Sequence, residues 1–282
     1  MRTNLCHHNA NNTLMNFFQS ARTLTKATLL IGSLITAVAC KHQPVGPGGE
    51  ITPGPPAGGG SGKAGYLTGK VIDPQGKPLP RATIYTDNTV FKGRGSEVSS
   101  SADGSYQVQL VAGLGQWVAK GFILKQYNDR VYKILLDPEN PDSFTEEEKP
   151  VRNFQWKLTG HIPDLSLDMY YGGTVEMFRD PNAIELRDNE NIEFTFKPVG
   201  PLIDGSTGKT LTLRAKKRYD DFIRDVPIGR YAVTAIYKPT GEALQVRNVF
   251  EDGDYSSSIT VDFVGRESAT RANMLGIGYT NR

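Results

Sequence analysis

The stretch Gly69–Ile84, GKVIDPQGKPLPRATI, reads as strand, turn and strand. Tyr66–Ile72 alternates as a half-buried strand does. Asp73-Pro74-Gln75-Gly76 then turns the chain, because Pro sets φ near that of a turn and Gly accepts positive φ. Pro78 and Pro80 lack N–H donors, which places the next segment at a sheet edge or in a crossover. Ala82–Tyr85 resumes an extended pattern. The run Ser101–Leu110, SADGSYQVQL, repeats the logic. Its Asp103-Gly104 favours a primed hairpin turn, and Tyr106, Val108 and Leu110 fall on one face of the strand that follows.

Outward from this pair the same signals recur. Val98–Ser101 is short and extended, Gln116–Phe122 is a strand, and 122–136 forms a hairpin around Asn128-Asp129. Val151–Leu158 alternates, with Phe154, Trp156 and Leu158 on one face, and opens a second series. That series comprises Thr174–Phe178, Ile192–Phe196, Thr210–Leu213, Tyr231–Tyr237, Ala243–Val246 and Ser258–Phe263. The expected fold is all-β, with two tandem β-sandwich modules at 65–149 and 150–265 and a C-terminal tail at 266–282.

Gly69-Lys70-Val71, Asp73 to Leu79, Ala82-Thr83-Ile84 and Asp103-Gly104-Ser105-Tyr106 together resemble the carboxypeptidase regulatory-like domain. That resemblance implies a transthyretin-like (prealbumin-like) sandwich, grouped with carbohydrate-binding-like and Ig-like folds. Val226–Ala235 resembles the P-x-G-x-Y-x-V-x-A run common in such sandwiches. The whole is similar to Bacteroidota lipoproteins that carry this domain without a peptidase. The resemblance supplies no catalytic residues.

Upstream, Lys26 precedes the apolar run Ala27–Val38, which at about a dozen residues is too short to span a bilayer core. Ala37-Val38-Ala39-Cys40 resembles a bacterial lipobox. It implies a signal peptide at 1–39, cleavage before Cys40 and lipidation of Cys40. Ordinary signal cleavage and an uncleaved anchor are the alternatives. Residues 1–14 look like no leader, and Met15 is read as the natural start. Residues 40–64 form a Pro- and Gly-rich linker with too little apolar content to offset the entropy of ordering. The expected location is the cell envelope, with the lipid anchor in the outer membrane and the fold facing the periplasm or the cell surface.

The 282-residue chain carries a formal net charge of +2. Residues 1–39 hold three basic residues and no acidic one, which leaves 29 Lys and Arg against 30 Asp and Glu. A near-neutral remainder with no basic run gives no electrostatic case for nucleic acid. The two cysteines, Cys6 and Cys40, lie ahead of both modules, so neither disulfide nor thiolate metal site is expected there. His161 is the one histidine within the modules, and zinc peptidase chemistry needs at least two ligands of that kind with a carboxylate base. No catalytic residue, metal or cofactor is expected. The ligand candidates are Tyr170 and Tyr171, since adjacent tyrosines on a strand cannot both face inward and Gly172-Gly173 follow. The reading is a non-enzymatic, membrane-anchored binding or scaffold protein, with a glycan or an envelope protein as partner. The alternative is an accessory protein that recruits an envelope hydrolase or a nutrient transporter.

Overall fold

The structure is a computed structural model that describes residues 62–162, 168–265 and 273–282. The expected leader, Cys40 and the expected linker as far as residue 61 lie outside the described residues. Among the described residues the fold is all-β, relieved by two short 3-10 turns at Ile184–Leu186 and Asn189–Asn191. The described residues all fall within one compact unit, bounded by Thr52 and Arg282.

The first half contains β1 (Tyr66–Ile72), β2 (Thr83–Asn88), β3 (Glu97–Ser99), β4 (Ser105–Gln109), β5 (Trp117–Tyr127), β6 (Arg130–Leu135), β7 (Asp137–Pro138) and β8 (Phe154–Gln155). These make two four-stranded sheets, in the orders β4-β1-β8-β7 and β3-β2-β5-β6. Alternation decides which side chains meet between them. Leu67, Val71, Val108 and Phe154 come from one sheet, Ile84, Trp117, Ile123 and Ile134 from the other, and all are buried. The Gly69–Ile84 stretch is the crossover between the sheets. Gly76 has φ +77°, and the Asp73 carboxylate accepts the N–H groups of Gln75 and Lys77 at 2.9 and 2.8 Å. The two prolines lie where the chain leaves β1 for β2 in the opposite sheet, so their missing donors cost no ladder bond.

The second half contains β9 (Gly173–Arg179), β10 (Ile192–Pro198), β11 (Leu211–Leu213), β12 (Phe222–Val226), β13 (Tyr231–Tyr237), β14 (Glu242–Asn248), β15 (Ile259–Val261) and β16 (Met274–Thr280). The strand order is β11-β10-β13-β14-β16-β9-β12, with β15 paired to β13. The sheet folds at β14. Glu242–Leu244 pair with β13, whereas Gln245–Asn248 pair with β16. Phe194 of β10 meets Tyr279 of β16 across the fold at a ring distance of 6.1 Å, while Phe196 meets Tyr231 of the neighbouring β13 at 5.8 Å. The Val226–Ala235 motif has a concrete purpose here: the Tyr231 hydroxyl reaches back to the Pro227 carbonyl at 2.7 Å and fixes the turn between β12 and β13.

Two expectations need correction. Val151–Leu158, read as opening the second module, returns to the first sheet through Val151–Gln155: Val71 and Ile72 of β1 pair in parallel with Phe154 and Gln155, and Thr68 bridges Val151. The hydrophobic alternation was right, but alternation names a face and not a partner. Residues 274–280, read as part of a tail, form β16, which is buried along its whole length. It runs antiparallel to β14 and parallel to β9.

Candidate functional site

The segments Gly160–Ile162 and Asp168–Tyr171 run antiparallel beside β9. Ile162 N–H donates to Met169 O and Tyr171 N–H to Gly160 O, both at 2.9 Å. Asp225 braces this hairpin from β12. One extra residue between Ile223 and Val226 bulges that strand, and Asp225 sits there with φ +66°. The bulge aims its carboxylate at the hairpin base, where the Gly160 N–H donates to it at 2.8 and 2.9 Å and the Gly172 N–H at 3.3 Å. These bonds offset the left-handed backbone conformation of a non-glycine residue. Gly172 is required for the close approach, because a Cβ there would lie 2.8 Å from the Asp225 carbonyl carbon.

The bracing separates the two tyrosines. Tyr171 is 5% exposed, and its hydroxyl donates to Asp137 Oδ1 at 2.6 Å, tying the hairpin to β7 of the first half. Lys157 forms an ion pair with the same carboxylate. Tyr171 therefore presents no ring face to a ligand and acts as an anchor. Tyr170 is half-buried, with its ring edge against the His161 imidazole at 5.1 Å. Its phenol is pushed up first by desolvation, then by its hydrogen bond to Asp168 and the charge there.

Asp168 is 51% exposed and joins the cluster together: His161 Nε2 lies 3.3 Å from one carboxylate oxygen and Arg224 Nε 3.1 Å from the other. Arg224 is held in turn by Asp220, with Nη1 at 2.7 Å, and its guanidinium lies 5.3 Å from the Phe222 ring centre. The hydrogen bond with Asp220 raises Arg224 further above its ordinary range. Burial opposes the charge on Asp220, but the hydrogen bond and charge of Arg224 outweigh it and hold that carboxyl below its usual range. Tyr170, His161, Asp168 and Arg224 thus share a small polar and aromatic surface with donors, acceptors and a ring edge. The sequence singled out Tyr170 and Tyr171 as ligand candidates and gave His161 no role. Arg224 and Asp225 gave no local signal, since a strand reading Phe-Ile-Arg-Asp-Val lacks clean alternation.

A second polar cleft of about 330 Å³ opens where the two halves meet, lined by Asp129, Arg130, Arg230, Glu251, Thr260 and Asp262. Its guanidinium groups already have partners. Arg230 binds Asp262 at 2.6 Å and Arg130 binds Glu251 at 3.1 Å. Tyr127 from the end of β5 donates to Pro201 O and accepts from Arg230 N–H, each at 2.9 Å. Asn128 adds a bond to Asp262 at 2.9 Å. This cleft is a joint between the halves.

No family model matches the chain, and no curated protein matches it. Among solved structures it is similar to the Bacillus anthracis TIE protein, at 14% identity and a TM-score of 0.30 over 76% of this chain and 34% of that one. It is also similar to a streptococcal ancillary pilin, at 10% identity and a TM-score of 0.25 over 75% of this chain and 61% of the pilin. BcpA, the major pilin subunit of Bacillus cereus, matches at 10% identity and a TM-score of 0.21 over 77% of this chain and 99% of that one. The chain spans 34% and 61% of the first two structures. Similarity at these levels transfers no function.

Proposed function

We propose that this protein is a non-enzymatic binding module of the cell envelope, tethered to the membrane through lipidated Cys40, and that it takes a carbohydrate ligand at the Tyr170 hairpin. The observation that carries the reading is the cluster itself: a half-buried tyrosine ring beside an imidazole, with a carboxylate and a guanidinium held in fixed positions next to it. Sugars are recognised by this combination, in which rings pack on C–H faces and paired charged groups bind vicinal hydroxyls. The bracing by Asp225 and Tyr171 supports it further, because a rigid site loses less entropy on binding. The lipobox resemblance at 37–40 supports the anchor, and the resemblance of Gly69–Tyr106 to carboxypeptidase regulatory-like domains supports a binding role without peptidase chemistry.

A glycan array probed with the Thr52–Arg282 unit tests the ligand. The expected result is a binding glycan whose affinity falls at least about tenfold in Tyr170→Ala and stays within about twofold in Tyr171→Phe. No glycan bound by the wild-type fragment, or equal binding by Tyr170→Ala, would remove the carbohydrate reading. The anchor is checked separately, by incorporation of labelled fatty acid that disappears in Cys40→Ala.

A further inference from the structure

The near-neutral charge balance conceals an uneven distribution, and the expectation of no basic run fails between β11 and β12. Arg214, Lys216, Lys217 and Arg218 are all exposed within five positions, and Tyr219 follows at 77% exposure. The turn is built and held from below. Ala215 is buried, Asp220 N–H donates to Lys217 O at 3.1 Å, and Asn189 N–H donates to Arg218 O at 3.2 Å. The Asn189 side chain donates to Asp220 O at 3.3 Å and accepts the buried hydroxyl of Tyr279 in β16 at 2.8 Å. A chain of hydrogen bonds therefore ties the basic turn to the central strand. Arg218 is paired with Asp188 at 2.7 Å and lies 5.2 Å from the Tyr219 ring centre, with Glu190 contributing to the local field. Arg214, Lys216 and Lys217 enter no ion pair among the described residues.

Lys217 lies within the field of the Asp220 carboxylate but forms no close ion pair with it, so Arg214, Lys216 and Lys217 keep exposed charges near one exposed tyrosine, which matches the chemistry of an anionic bilayer surface. Lysine and arginine near such a surface each add attraction that decays within a Debye length, and tyrosine settles at the headgroup level with its ring in the apolar boundary and its hydroxyl in water. We propose that the β11–β12 turn is a membrane-docking surface, in which Arg214, Lys216 and Lys217 engage lipid phosphates and Tyr219 enters the headgroup layer. Such a patch binds weakly alone and becomes effective when the protein is held at the membrane, so its physiological weight rests on the proposed anchor. Its role would be to orient the fold against the bilayer.

Co-sedimentation of the Thr52–Arg282 unit with vesicles tests the surface without the anchor, because this fragment lacks Cys40. Partitioning is expected onto vesicles containing phosphatidylglycerol, weaker on pure phosphatidylcholine, and falling steeply with salt. The triple variant R214Q/K216Q/K217Q should lose on the order of 100-fold, at about fivefold per charge removed. The charge-matched variant K70Q/K77Q/R94Q, altered at exposed positions in the first half, should bind as wild type does. Tyr219→Ala should bind severalfold more weakly with an unchanged salt slope. The proposal is overturned if both vesicle types bind equally, if the charge-matched variant loses as much as the triple variant, or if the fragment binds acidic polysaccharide and no vesicles. Absence of fatty-acid label on the wild-type protein, or label that persists in Cys40→Ala, would overturn the anchor and leave this result standing.

Discussion

Asp220 shows how much one carboxylate can contribute at the edge of a site. Arg224 holds it below its ordinary value of 3.8 despite partial burial. Between the folded and unfolded values the unfolded chain takes up the proton first, so stability falls as the pH falls. The contribution is therefore fully present above 3.8 and lost as the pH drops through the lower folded value. Melting temperatures measured from neutral pH into acid should show Asp220→Asn less stable than wild type at neutral pH and less sensitive to pH below about 4. Parallel curves would mean that the pair contributes nothing to this dependence. At this scale the sequence was partly legible. Two adjacent tyrosines on a strand point to opposite faces, which singled out Tyr170 and Tyr171. Which of them faces inward depends on Asp137, and what surrounds Tyr170 depends on Arg224, far along the chain. No local pattern records such distant partners.

At the scale of elements, strands with one wet face were readable and strands covered on both faces were not. Tyr66–Ile72 and Tyr231–Tyr237 alternate, and their bounds match β1 and β13. The hairpin expected at Asn128 turns there, with φ +50°. β16 was hidden because Met274–Thr280 has no polar face. Leu275, Ile277 and Tyr279 point into the core, while Gly276 and Gly278 lie beneath Phe250, Arg247 and Tyr255. A Cβ on Gly276 would lie 2.7 Å from the Phe250 ring. Gly276→Val should therefore destabilise the protein by about 1–3 kcal/mol in denaturant titration, as overpacking a filled layer does. A loss within measurement error would show that Phe250 can move aside without cost. β12 was missed for a different reason: its bulge carries Arg224 and Asp225, which break the alternation in order to brace the hairpin.

For the whole molecule, the all-β class was readable and the partition of the chain was less so, because Phe154–Gln155 pairs with β1 although it lies beyond the boundary expected at 149–150. The joint at Tyr127 makes a testable claim about cooperation between the halves. Trp117 and Trp156, the two tryptophans of the chain, are both buried in the first half, so fluorescence reports that half while circular dichroism reports both. The two signals should show one coincident transition in wild type. Tyr127→Phe should lower its midpoint by an amount equivalent to about 1 kcal/mol, since the part-buried Arg230 N–H and the exposed Pro201 carbonyl each lose a partner that water can largely replace. Separate transitions in wild type would show that the joint does not couple the halves. The place of β16 also bears on the order of events during synthesis. Met274 pairs with Thr174, one hundred positions earlier, and the strand lies between β9 and β14. The second sheet therefore stays split until residue 280 is available, and closing it brings together segments far apart in sequence, a slow step. If the chain crosses a membrane as an extended thread, this late closure keeps the second half unlocked until nearly all of it has passed through.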